Sequence, residues 1–250
     1  MTLIHNSVLH DCIEREKAGV DYICMGGDRT VLLNMMETIN SQKGTNFQYL
    51  AELDAFHVLG AGEIIAEYIK QFSSPSVKAY LIPQLVLDKV KDCDKIILQM
   101  YLQFRESEEF IAPPGKPAPS HISVRYDNAF RSMKSKRIVD ELVGVVLSPR
   151  DAFYLPLTVK MLASWKIPEL KKALLVYSAP NGISKHDVGL HEDAQVFPPF
   201  SFIRRELRFT AIDGLRYYPS EETLCALQLC LQDSDRDIRV AASRIIKKIS

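Results

Sequence analysis

Apolar residues recur at helical spacing along almost the whole chain, and the strict alternation of half-buried strands is nearly absent. Between Asp28 and Asn40, Val31, Leu32, Met35, Met36 and Ile39 fall on one helical face, with Asp28 placed as the N-cap. Thr45 opens a second segment whose stripe is Phe47, Leu50, Leu53, Ala55, Phe56 and Leu59, and Gly60-Ala61-Gly62 closes it before Ile64 to Phe72. The same spacing predicts helices over 76–90, 94–104, 136–147, 150–164, 168–177, 203–215, 221–231 and 236–249. That is about a dozen helices in an all-α chain. Pro75, Pro149 and Pro168 stand where helices start, a position that tolerates the missing N–H. Pro83 and Pro156 fall inside apolar helical patterns and predict kinks or breaks. Two stretches, 106–128 and 178–201, resist helical assignment and read as long loops.

Composition narrows the class. The 250 residues are 47% hydrophobic and 25% charged, which is enough apolar material for a substantial core in a single domain spanning 1–250. The 31 Lys and Arg balance 31 Asp and Glu, so the chain lacks the broad field of a dedicated polyanion binder. Cys12, Cys24, Cys93, Cys225 and Cys230 are scattered, with no metal-finger spacing, and read as reduced thiols. Residues 1–10 lack the basic start and apolar block of a signal peptide, and no apolar run approaches the roughly 18 residues that span a bilayer. A cytoplasmic protein with no membrane partner is expected.

The C-terminal third carries an internal repeat. Glu206-Leu207-Arg208-Phe209-Thr210-Ala211 and Asp237-Ile238-Arg239-Val240-Ala241-Ala242 share one order, acidic, aliphatic, Arg, apolar, small, Ala, and begin 31 residues apart. Looser copies begin at Glu169 and Ser76. Such a period signals stacked helical hairpins. The small residues allow close helix approach, the acid favours a helix N-terminus, and the Arg reaches carboxylates or carbonyls of the adjacent turn. On these residues, and most clearly over 202–250 with Asp233-Ser234-Asp235 as a turn, the chain resembles the HEAT-like repeats of the phycobilisome-lyase-like family. The resemblance implies an α-solenoid of helical hairpins whose concave face and long loops hold another macromolecule.

The implied function is a non-enzymatic protein-binding module of the adaptor, scaffold or inhibitory (immunity-type) kind, with another protein as partner and no cofactor. The expected partner-binding residues are Trp165, His191, Arg204, Arg205, Tyr217 and Tyr218, aromatic and basic groups near helix ends and the second loop. Nucleic-acid binding is the second reading, resting on basic groups at 125–137, 204–216 and 236–248, with Glu221, Glu222, Asp233 and Asp235 set among them to offset the field. A metal-dependent enzyme is the third. His186 and His191 lie with Asp187, Glu192 and Asp193 in one loop, a set that reads first as a solvated polar segment, so no metal ligand is assigned.

Overall fold

A computed structural model describes residues 27–48, 50–107, 120–192 and 199–249. Cys12, Cys24, the proline-rich stretch 113–119 and Asp193 lie outside the described residues. The described part is all helical. The chain divides between Glu109 and Phe110 into two compact units.

The first unit contains α1 (Gly27–Lys43), α2 (Leu50–Ala55), α3 (Ala61–Tyr68), α4 (Pro75–Leu87) and α5 (Cys93–Arg105). Met35, Ile39, Leu53, Ile65, Leu81 and Ile97 form its core. Helix α3 packs on α1 and α4, and α4 packs on α2 and α5. Asp28 does not cap its own helix. Its carboxylate accepts the N–H groups of Ser73 at 2.6 Å and Ser74 at 2.7 Å, and so secures the entry to α4 from 45 residues away. Ser74 is the local N-cap of α4, accepting from the Val77 N–H at 3.3 Å. Thr45 caps nothing; its hydroxyl donates to Asn40 Oδ1 at 2.8 Å. Pro83 lies within α4, which runs on to Leu87 without a break.

The start of α3 shows why two glycines stand there. Asp88 accepts the N–H groups of Gly60 at 3.1 Å and Gly62 at 2.6 Å, and the His57 ring at 2.9 Å. Gly60 takes a left-handed φ of 78°, and a Cβ on Gly62 would stand 2.8 Å from the Gln84 carbonyl oxygen. Burial pushes the Asp88 carboxyl up, but the two backbone N–H groups and His57 outweigh it and hold the group below the usual carboxylate range. Buried Gln84 completes the corner, donating to the carbonyls of Leu53 and Phe56 and accepting from Val58.

The second unit contains α6 (Ser120–Met133), α7 (Val139–Val146), α8 (Pro149–Tyr154), α9 (Pro156–Ser164), α10 (Leu170–Ser178), α11 (Phe200–Leu215), α12 (Glu221–Cys230) and α13 (Arg236–Ile249). Helix α6 therefore begins at Ser120, inside the stretch 106–128 expected as a loop. Ile122, Tyr126, Ala129 and Phe130 form a buried stripe there, obscured in sequence by the polar residues between them. Pro156 does break the 150–164 segment, and it becomes the first residue of α9. Helices α6, α9, α11 and α13 pack each on the next, and α10 packs on α11 and α12.

Several long-range ties in this unit bridge an interval of 30 to 32 residues. Asp127 of α6 accepts the Leu157 N–H at 2.8 Å and both the N–H and hydroxyl of Thr158 at 2.7 Å, capping α9 from 30 and 31 residues away. Tyr177 donates to the carbonyls of Val146 at 2.9 Å and Leu147 at 3.1 Å, at the end of α7. Arg208 reaches the Ser178 carbonyl at 3.3 Å, and Arg205 donates to Asp235 at 2.5 Å and Asp237 at 2.6 Å. The bonds of Asp127, Tyr177 and Arg208 satisfy backbone groups that helix ends leave open, whereas Arg205 joins two carboxylates at the start of α13. The paired motifs also match in burial, with Leu207, Ile238, Ala211 and Ala242 all fully buried. Glu206, however, lies in the second turn of α11 rather than at its start, whereas Asp237 does stand in the first turn of α13.

Candidate basic and aromatic recess

Two of the six expected binding residues meet. Helix α9 presents Leu157, Lys160, Met161 and Ser164 on one side, at helical spacing, and Trp165 follows at its C-terminal end. Together with Arg131 and Lys134 at the end of α6 and Tyr217 just after α11, they line a recess of about 280 Å³. Lys134 and Lys166 take left-handed φ values of 47° and 60°, which stops α6 and α9. Trp165 and Tyr217 are half-buried, so each ring rests on the unit while leaving surface for a ligand.

Asp213 organises the charge beside this recess. It lies one turn before Tyr217, and its oxygens stand 3.6 Å from Lys160 Nζ, 3.0 Å from Arg216 Nη1 and 3.6 Å from Arg244 Nη2. Arg216 also lies 4.6 Å over the Tyr217 ring and donates to its hydroxyl. The Tyr217 hydroxyl bond, opposed by desolvation and joined by Asp213, raises the Arg216 pKa above its ordinary value.

The other four residues have different surroundings. Tyr218 donates to the Ile167 carbonyl at 2.8 Å; burial, with the Glu169 charge, pushes its phenol up to about 12, so it is a structural tie. Arg205 is taken up by Asp235 and Asp237 and covers Phe209 at 4.8 Å. Arg204 stands 5.5 Å over Phe200, which stacks on Phe153. His191 is exposed in the second loop, apart from the recess.

In that loop His186–Val188 form one 3₁₀ turn, and Ile183, Val188 and Leu190 are buried. Asp187 accepts the N–H and hydroxyl of Ser184 at 2.7 Å, bonds that hold its carboxyl below the usual range. Among the described residues, no group of three or more His, Cys, Asp or Glu side chains is placed to hold a metal ion.

Three of the four acidic residues expected to offset the basic ones are committed to particular cations. Asp233 pairs with Arg208, Asp235 with Arg205, and Glu222 with Lys171. Arg239 donates to the Asp233 and Ser234 carbonyls at 2.7 and 2.9 Å. Lys160 and Asp213 were not singled out from sequence. They are 53 positions apart with a long loop between them, and no periodic signal connects them. Among the described residues no helix is long and apolar enough to cross a membrane. Compared with known protein families, curated proteins and solved structures, the chain matches none of them.

Proposed function

We propose that the chain is a non-enzymatic protein-binding module built of HEAT-like helical hairpins, and that the recess of Trp165 and Tyr217 receives its protein partner. The observation that carries this reading is the pair of half-buried rings that line one recess together with apolar Leu157 and Met161 and basic Arg131, Lys134 and Lys160. Aromatic groups anchored on a rigid frame and ringed by polar charge are the usual carriers of binding energy at protein interfaces. The recurrence of side-chain ties at intervals of 30 and 31 residues supports the hairpin-repeat part of the proposal. Free thiols at Cys93, Cys225 and Cys230 suit a reducing, cytoplasmic setting.

Affinity capture from the native host with wild-type protein and with a W165A/Y217A variant tests this. The expected result is a stoichiometric protein partner held by the wild type and lost, by about a hundredfold in affinity, from the double variant. Equal retention by both proteins would overturn the site. Excess cations lining the recess also favour the nucleic-acid reading. Recovery of nuclease-sensitive material in place of a protein would select it.

A further inference from the structure

A second recess, of about 570 Å³, is lined by α13 and by Leu231 just after α12. Its lining includes apolar Leu231 and Val240, 40% and 58% exposed, and basic Arg236, Arg239, Arg244 and Lys247. Arg244 belongs to this recess and Lys160 to the first, and both lean on Asp213. One carboxylate is therefore shared by a cation from each recess.

The charge around that carboxylate does not balance. Three cations, Lys160, Arg216 and Arg244, share Asp213. Among the described residues, Lys134, Arg236 and Lys247 have no carboxylate within ion-pair distance, and the nearby acids Asp233, Asp235, Asp237 and Glu222 are paired with Arg208, Arg205 and Lys171. A chain of zero net charge thus concentrates a cationic excess along one line of helices, α6, α9, α11 and α13.

Resting on the protein-binding reading, we propose that the two recesses form one track for an acidic, extended segment of the partner, and that Asp213 occupies in the free protein a place taken by a partner carboxylate. Alternating acidic and apolar side chains meet both demands of the track, whose lining combines these cations with apolar Leu157 and Met161 in one recess and Leu231 and Val240 in the other. Single-stranded nucleic acid suits it less well. It binds by stacking on open aromatic faces, and Arg216 already covers the Tyr217 ring.

The probe is a fluorescein-labelled dodecapeptide alternating glutamate with leucine and phenylalanine, followed by fluorescence anisotropy at low salt. A glutamine version of the peptide and an oligothymidylate of equal charge serve as comparisons. Wild type is expected to bind the glutamate peptide, weaken with added salt and ignore the glutamine version. K134E and K247E, exposed changes one in each recess, are expected to weaken binding about threefold to tenfold each. D213N should strengthen it several-fold, since three cations lose their internal partner. A purely structural Asp213 would give the opposite sign, so weaker or unchanged peptide binding by D213N overturns the displacement idea. Should both charge reversals leave binding unchanged, the track falls. If those results come while W165A/Y217A still loses a captured protein, the protein-binding reading stands and the acidic-segment proposal alone fails. Tighter binding of oligothymidylate than of peptide overturns both.

Discussion

Replacing Arg208 with alanine is expected to destabilise the protein by about 3–5 kcal/mol, the largest effect of any single substitution considered for this chain. Its guanidinium is buried, with Nη2 2.5 Å from Asp233 Oδ2 and Nε 3.3 Å from the Ser178 carbonyl. Truncation leaves an uncompensated carboxylate whose side chain is only 5% exposed, and it leaves a helix-end carbonyl with a weaker partner in the Cys230 thiol, 3.7 Å away. Burial pushes the Asp233 carboxyl up, yet Arg208 and the Asp235 N–H hold it below the usual range. A depressed folded-state value means that the stability it contributes is present at neutral pH and is lost as pH falls through the acid range. Urea unfolding followed by far-ultraviolet circular dichroism measures the loss. R208K, which keeps the charge but not the fork, should fall between the two. A loss below about 1 kcal/mol in R208A would show that the pair is dispensable.

The second large effect is at Asp127. D127A removes the acceptor for the Leu157 N–H and for both Thr158 donors, and is expected to cost about 2–4 kcal/mol at pH 7. Its pH dependence has an unusual direction. Burial pushes the folded-state carboxyl up to about 6, against the opposing Thr158 and Leu157 bonds and the Arg131 charge, while the unfolded chain titrates near 4. Between those values the folded protein keeps a proton that the unfolded chain has released. Stability attributable to this group is therefore greatest below about pH 4, falls by about 3 kcal/mol as pH rises toward 6, and is level above. D127N, which cannot ionise, should show a flatter stability profile across this window than wild type. Thermal unfolding of the two proteins between pH 4 and pH 8 makes the comparison, and identical profiles would place the Asp127 titration elsewhere.

Helical periodicity carried most of the secondary structure, since each helix buries a stripe written into its own residues. Pro156 could be read as a break because its ring and missing N–H act locally. Asp28 and Asp127 were misread for a common physical reason. Each bonds the start of a helix 30 or more residues away, and neither composition nor local spacing encodes that partner. Local spacing therefore makes Asp28 a cap for α1 and leaves Asp127 inside the stretch 106–128 that reads as a loop.

The recess was legible in part. Trp165 and Tyr217 stand out by residue type and position near helix ends, and they do meet. Tyr218 and Arg205 have the same signature but are spent on internal bonds, a difference set by which way adjacent residues face. Lys160 became visible only once α9 and α11 were packed together, because its role depends on Asp213 across the helix pair.

Capping by carboxylates from other helices bears on how the molecule exchanges its amide protons. First-turn amides ordinarily exchange quickly, having no partner within their own helix. The N–H groups of Ser74, Gly62, Leu157 and Thr158 are held instead by Asp28, Asp88 and Asp127. Their protection in deuterium solvent thus reports the docking of one helix against another, and these few protons give a site-by-site gauge of whether neighbouring helices open singly or together.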